Sequence, residues 1–164
     1  MNKTISNKLI DFTKYKKKKT PNEFIEVKGK YLIEDIANYF LAKSDDISPK
    51  KLQKILYFAY SWHLVLTNNS IDVINNRLFK DRFEAWIYGP VTYEIFKEYK
   101  VKQASNIERY HGEQIKLSEQ EVDILDDVWN VYGRYSADEL VSISCQHLPW
   151  QKARERTGCS PSLK

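Results

Sequence analysis

The sequence predicts a mainly α-helical, single compact domain with a small β element around residues 72–88. The chain has 164 residues, which is enough to bury one hydrophobic core, and its hydrophobic content of 42% is typical of a folded protein. Apolar residues recur at helical spacing in several separate segments, while β-prone, aromatic-rich sequence is confined to one short stretch. The second interpretation is an α+β domain with a three-stranded sheet.

Basic residues are concentrated at the N-terminus. Residues 1–30 contain nine lysines and three acidic residues, a net charge of +6, whereas the remaining 17 basic and 19 acidic residues give −2. Because like charges repel, residues 1–30 are expected to be a partly mobile extension, which either aids solubility or binds nucleic acid. The folded domain is expected at residues 31–157 and a C-terminal tail at residues 158–164. The lysines that would contact a nucleic-acid backbone are Lys14, Lys16, Lys17, Lys18 and Lys19.

A cytoplasmic protein with no membrane association is expected. No apolar run approaches the length of a membrane span, and the N-terminus lacks the apolar segment of a signal peptide. The two cysteines, Cys145 and Cys159, provide no disulfide framework.

Two helices are predicted before residue 70. The first begins at Tyr31, because Leu32 and Ile36 share one face. The second begins at Ser48-Pro49, since serine is a good N-cap and proline suits the first helical position. Its apolar stripe is long and further apolar residues lie outside it, so this helix is expected to be central. The stripe comprises Leu52, Ile55, Leu56, Ala59, Trp62, His63 and Leu66.

The most informative segment is Glu84-Ala85-Trp86-Ile87-Tyr88-Gly89-Pro90-Val91. Its first half is β-prone, Gly-Pro is expected to turn the chain, and a helical pattern resumes at Thr92. This order indicates a packed connection in which Glu84 accepts hydrogen bonds from the backbone or a hydroxyl and Gly89 leaves no room for a side chain. The residues expected to be mainly structural are Glu84, Trp86, Gly89, Pro90 and Trp150.

Capping signatures mark the helices of the C-terminal third. Ser118–Glu121 and Ser136–Glu139 each place a serine three residues before a glutamate, which is the pattern of a capping box. The first of these helices is expected to end near Gly133. A last short helix is expected to begin at Pro149 and to stop at Gly158.

The sequence offers no catalytic residues, metal site or cofactor motif. The five glycines are scattered singly, so there is no glycine-rich phosphate loop. His63 lies on an apolar stripe and is expected to be a core or interface residue, and His111 has no obvious partner. Cys145 and His147 provide two metal ligands where zinc takes about four. A hydrolase using His63 or Glu84 is the least favoured interpretation, and the chain is expected not to be an enzyme.

Four acidic residues mark one side of the helix after Ser118, without lysines four residues further on to pair with them. Such a run is usually a solvated face. It is also the surface that a domain would present to a basic partner, so both interpretations stay open. The four are Glu119, Asp123, Asp126 and Asp127.

With these residues in view, the chain resembles the Panacea domain, a family of phage- and plasmid-associated (GepA-like, SocA-like) antitoxins. The resemblance covers about residues 33–154. It depends on blocks in a fixed order, each weak alone: residues 47–59, 78–79, 83–86, 89–91, 99–100, 117–118, 132–133, 136–137, Leu140 and 149–150.

The resemblance implies a non-enzymatic antitoxin that neutralises, by direct binding, a cognate toxin encoded nearby. One branch of the family resembles a proteolytic adaptor, which implies a protease as a further partner. Family members often carry Thr-His where this chain has Ser144-Cys145, so any role of that histidine is lost here or taken over by His147. The alternative function is a nucleic-acid-binding regulatory protein that uses the basic N-terminal extension.

Overall fold

The computed structural model describes residues 29–70, 72–102 and 105–158. These residues form six α-helices and four short strands, which confirms the predicted mainly α-helical fold. The five candidate lysines of the N-terminal extension lie outside the described residues, as does the tail from residue 159. The elements in chain order are β1 (Gly29–Tyr31), α1 (Ile33–Leu41), α2 (Pro49–Thr67), β2 (Arg77–Phe79), β3 (Phe83–Trp86), β4 (Gly89–Thr92), α3 (Tyr93–Tyr99), α4 (Glu119–Tyr132), α5 (Ala137–Cys145) and α6 (Leu148–Arg156).

Helix α2 is the centre of the fold, as the sequence predicts. It packs against α1, α3, α4 and α5 and against strands β2 and β4. The side chain of Ser48 accepts a hydrogen bond from the backbone N–H of Lys51, so serine caps the helix as expected. Burial of the apolar stripe ends at His63. Leu66, in the last turn, is exposed, as is the neighbouring Val65.

The chain enters the domain through a strand that the sequence analysis missed. β1 pairs in parallel with β2, with Gly29 opposite Arg77 and Tyr31 opposite Phe79. Helix α1 therefore begins at Ile33 and not at Tyr31, and Leu32, which was expected on its buried face, is exposed. Periodicity could not reveal this because the strand partner lies more than 40 residues away in the sequence.

β3 and β4 form an antiparallel hairpin, paired from Phe83 opposite Thr92 to Trp86 opposite Gly89. The chain reverses at Ile87-Tyr88, so the expected turn at Gly89-Pro90 is wrong by two residues. Gly89 has a φ of 91° at the end of the turn, a conformation that glycine adopts most readily. The three-stranded sheet of the second interpretation is not found, because the described strands form two separate two-stranded sheets.

Helices α4 and α5 begin directly after the serines that the capping signatures indicate. Both capping boxes are present, Ser118 with Glu121 and Ser136 with Glu139. Helix α4 ends at Tyr132, whose ring stacks on Phe58 of α2 with the centroids 4.0 Å apart. The hydrophobic core thus lies between α2 and the surrounding helices. None of the described helices is long and apolar enough to cross a bilayer.

Candidate partner-binding groove

A groove of about 480 Å³ lies between the β3–β4 hairpin, the N-terminal half of α2, α3 and α6. We call it the hairpin groove. The segment of residues 84–91 was expected to form a packed strand, turn and helix, and the groove was not predicted, because its lining side chains come from four separate parts of the fold. They are Pro49, Lys50, Gln53, Lys54, Ala85, Trp86, Ile87, Tyr88, Val91, Ile95, Phe96 and Arg154.

One wall of the hairpin groove is aromatic and apolar. Trp86 is half-buried, and its ring centroid lies 4.7 Å from that of Phe96. At the turn, Ile87 is 55% exposed and Tyr88 is 62% exposed. Tyr93, at the start of α3, is also exposed. Adjacent exposed apolar side chains of this kind are typical of an interaction surface.

Helix α2 holds β4 through contacts to its main chain. The amide nitrogen of Gln53 donates to the carbonyl of Thr92 at 3.0 Å, and the Thr92 N–H donates to the Gln53 Oε1 at 2.9 Å. The next residue of the helix, Lys54, donates from its Nζ to the carbonyl of Pro90 at 2.7 Å. These polar side chains are buried, so their hydrogen bonds satisfy groups that would otherwise be costly to bury.

Helix α6 holds β3 in the same way. Trp150 Nε1 donates to the carbonyl of Trp86 at 2.9 Å, and Arg154 Nη1 donates to the carbonyl of Ala85 at 3.3 Å. Trp150 is only 4% exposed and packs with Val141 in a small second core. Trp150 therefore fixes the hairpin against the C-terminal helices.

Lys54 is a buried cation at the floor of the groove, and only 1% of it is exposed. Burial lowers the pKa of its ammonium group from 10.5 to about 7. Near neutral pH the folded protein therefore holds this lysine partly as the neutral amine.

We expect the stability of the protein to rise with pH above 7, and the variant Lys54→Met to lose this rise. The unfolded chain keeps the lysine proton up to about pH 10.5, whereas the folded chain releases it near pH 7. The unfolded state thus binds more protons in this window, so the free energy of unfolding increases by about 2 kcal/mol between pH 7 and pH 9. Urea unfolding at both pH values measures it. An equal rise in both proteins would contradict the assignment.

The expected acidic surface on α4 is smaller than the sequence suggested. Glu119, Asp123 and Asp127 are exposed. Asp126 is occupied within the chain, because Lys43 Nζ donates to its Oδ1 at 2.6 Å and the Tyr39 hydroxyl donates at 2.7 Å. These two hydrogen bonds lower the pKa of Asp126. Its compensating lysine, Lys43, lies in the turn after α1, so the sequence of α4 alone does not reveal it.

Glu121 is a buried acid that sequence analysis treated only as a capping residue. Lys30 Nζ donates to its Oε1 at 2.6 Å, the Tyr31 hydroxyl donates to its Oε2 at 2.8 Å, and Ser118 donates to it as well. Burial raises the pKa of Glu121, but the hydrogen bonds from Lys30, Ser118 and Tyr31 outweigh burial and lower it to about 2. Glu121 therefore ties β1 to α4.

The expected role of Glu84 needs a correction. Its carboxylate is exposed and accepts a hydrogen bond from the indole Nε1 of Trp86 at 2.7 Å, not from the backbone or a hydroxyl. The side chain of Glu84 points away from the core because the alternating strand places Phe83 and Ala85 on the inner side. Pro90 and Gly89 are buried, and a Cβ on Gly89 would lie 2.8 Å from Ser144 Oγ, as the close helix approach implied.

The remaining candidate residues lie apart from the groove. His63 is buried, its Nε2 lies 3.7 Å from Glu121 Oε1, and burial lowers its pKa. His147 Nδ1 lies 3.3 Å from the Tyr57 hydroxyl, Cys145 is buried, and His111 is exposed. Within the described ranges no group of three or more His, Cys, Asp or Glu side chains is placed to hold a metal ion.

Sequence comparison places this helical domain among the antitoxin-like proteins. A family model described as "Antitoxin SocA-like, Panacea domain" matches residues 52–151, which is more than half of the chain. The chain belongs to this family, and the resemblance read from its ordered blocks is confirmed. The match extends from α2 into α6 and includes the whole hairpin. No curated protein and no solved structure matches the chain.

Proposed function

We propose that the chain neutralises a cognate toxin, encoded nearby, by direct stoichiometric binding through the hairpin groove and without catalysis of its own. Membership of the antitoxin family supports a role in a toxin–antitoxin system in general. The choice of this binding surface depends on one observation. Two apolar side chains, Ile87 and Tyr88, are exposed beside the aromatic wall of the groove.

The groove is a better candidate for the toxin contact than the acidic surface of α4. Large apolar side chains that become buried on binding, with tyrosine and tryptophan prominent, account for most of the energy of protein interfaces. The groove offers Trp86, Ile87 and Tyr88 in one place. The acidic surface offers Glu119, Asp123 and Asp127, whose exposed charges mainly affect association rate and salt dependence.

The test is coexpression of the adjacent gene with the unaltered chain and with two variants. We expect the unaltered chain to restore growth, and Ile87→Ser with Tyr88→Ser to weaken toxin binding at least about 30-fold, because losing such contacts costs about 2 kcal/mol or more. Val131→Ser is the matched control, since Val131 is an exposed apolar residue on α4. Melting temperatures of the purified variants exclude loss of fold as the cause.

A second variant separates the two surfaces. Asp123→Lys with Asp127→Lys reverses the charge of α4, and we expect it to leave growth rescue intact. If the charge reversal abolishes rescue while the hairpin variant still neutralises the toxin, the toxin binds α4 and not the groove. A neighbouring gene that is harmless alone, or still toxic in the presence of the unaltered chain, would contradict the antitoxin proposal itself.

The adaptor form of this proposal adds a protease as a partner. If the chain delivers the toxin for degradation, rescue requires a cellular protease and the toxin level falls when the chain is present. If the chain occludes the toxin, the purified complex is inactive with no protease in the reaction. The toxin's abundance during rescue therefore distinguishes the two forms.

A nucleic-acid-binding regulator is the second candidate, and the observation that favours it is the net charge of +6 on residues 1–30. Phosphate contacts made by lysines release counterions, so binding by this route weakens steeply with salt. Filter binding at two salt concentrations, with the full chain and with residues 1–20 removed, tests it. Equal binding by both proteins would exclude the extension as the contact.

A further inference from the structure

The hairpin groove has an uneven charge. Three basic side chains line it, Lys50, Lys54 and Arg154, and none of the described residues that line it is acidic. Lys50 is paired with Asp138, whose Oδ1 lies 2.9 Å from its Nζ. Within the described part of the chain, Lys54 and Arg154 form no ion pair.

Within the described ranges, the hydrogen bonds that Lys54 and Arg154 donate all go to main-chain carbonyls, and the Arg154 guanidinium also lies 5.9 Å from the centre of the Trp150 ring. Lys54 donates to the carbonyl of Pro90, and Arg154 donates to the carbonyl of Ala85. The Arg154 Nε is buried and has no hydrogen-bond partner among the described residues. A cation in a largely apolar setting without a carboxylate is poorly compensated, so an entering anion gains a charge-assisted hydrogen bond.

The hairpin groove also has an apolar surface that a bound ligand would have to cover. Trp86 and Phe96 form its aromatic wall, and Ile87 and Tyr88 extend this apolar surface beyond the rim. A small anion would leave this surface uncovered. A polypeptide segment can cover both the wall and the rim, and it can carry the carboxylate in the same sequence.

We propose that the hairpin groove receives a segment of the toxin that carries an apolar side chain next to a carboxylate. The apolar side chain packs on Trp86 and Phe96, and the carboxylate binds Arg154 at the inner end of the groove. This inference rests on the proposed antitoxin function and adds to it the chemistry of the segment that is recognised.

Two dyes of nearly equal size test the charge requirement on the full chain. 8-Anilinonaphthalene-1-sulfonate is an aromatic anion, and N-phenyl-1-naphthylamine is its neutral counterpart. We expect Arg154→Gln to weaken binding of the anionic dye about tenfold and to change binding of the neutral dye less than twofold. Glutamine is two bonds shorter than arginine and does not reach the carbonyl of Ala85, but Trp150 still donates to the carbonyl of Trp86, so the hairpin remains attached. Arg156→Gln is the control, since Arg156 is exposed on the same helix.

A competition measurement then connects the groove to the toxin. We expect the purified product of the adjacent gene to displace the anionic dye from the unaltered chain at a ratio of one to one. Equal anionic-dye affinity of the unaltered protein and Arg154→Gln would overturn the charge assignment, and a dye that stays bound in the toxin complex would overturn the docking site. Growth rescue tests the antitoxin function separately. If rescue persists although Arg154→Gln binds the anionic dye normally, only the groove chemistry is wrong. If rescue persists although the dye stays bound in the complex, the toxin binds another surface, and if the unaltered chain gives no rescue, both proposals fail.

Discussion

Replacing Trp150 with alanine is expected to remove a large part of the stability of the domain. Trp150 is 4% exposed and packs with Val141, Cys145 and Ala85, and its indole donates to the carbonyl of Trp86. Truncating a buried tryptophan costs about 3–5 kcal/mol, through lost contacts and the remaining cavity. Small domains have only about 5–15 kcal/mol in total, so Trp150→Ala should unfold at a much lower temperature and urea concentration and should neutralise the toxin less well.

Urea unfolding followed by circular dichroism measures this effect, with Trp150→Phe as the control. Phenylalanine keeps most of the buried surface and loses one hydrogen bond, so we expect a loss of about 1–2 kcal/mol. An alanine variant within 1 kcal/mol of the unaltered protein would show that α6 does not anchor the hairpin.

Gly89→Ala is expected to have the second largest effect, a loss of about 2–5 kcal/mol in unfolding free energy. The φ of Gly89 is 91°, which costs an L-residue about 1–2 kcal/mol. The new Cβ would also lie 2.8 Å from Ser144 Oγ and 3.0 Å from Lys54 Cε, so one of these buried side chains must move. Overpacking of this kind costs about 1–3 kcal/mol more.

Gly158→Ala separates the two contributions. Gly158 also has a positive φ, 70°, but a Cβ there would meet no atom within 4 Å. Its replacement should therefore cost only the backbone contribution, about 1–2 kcal/mol. The difference between the two melting temperatures measures the crowding around Gly89. Equal losses of stability in the two variants would show that Ser144 and Lys54 move aside at no cost in free energy.

The sequence predicted those elements whose signals are local. Ser48, Ser118 and Ser136 each bond to a backbone N–H three residues away, so the information that starts each helix lies within one turn of sequence. The apolar periodicity of α2 likewise predicts which of its side chains are buried, except in the exposed last turn. Nothing distant needs to be known for these predictions.

The features that the sequence could not predict depend on partners far along the chain. The pairing of β1 with β2, the contact of Lys30 with Glu121, and the contact of Lys43 with Asp126 each join residues more than 40 positions apart. Each contact changes an interpretation made from the sequence. The predicted start of a helix is a strand, β1, and Asp126, one of the four predicted surface acids, forms hydrogen bonds within the chain. Side-chain chemistry suggests several partners for such groups, and only the tertiary fold selects one.

The candidate site was recognised in part and interpreted differently. The sequence drew attention to the segment around Trp86, but Trp86 was expected to be mainly structural. In the structure it is half-buried in the groove wall, while Trp150 is the tryptophan that is almost fully buried. A tryptophan in a short strand can face either side of a hairpin, and the position of α6 decides which side is covered.

The hairpin is attached to the domain at four carbonyls, those of Ala85, Trp86, Pro90 and Thr92, and at the N–H of Thr92. Every one of these is a main-chain atom, which is present whatever side chain the residue carries. Mutations at positions 87 and 88 can therefore change the chemistry of the exposed tip without breaking any of these bonds. Under the proposed function, a toxin that escapes by mutation could be matched by new side chains at the tip, because these changes leave the main-chain attachment of the hairpin intact.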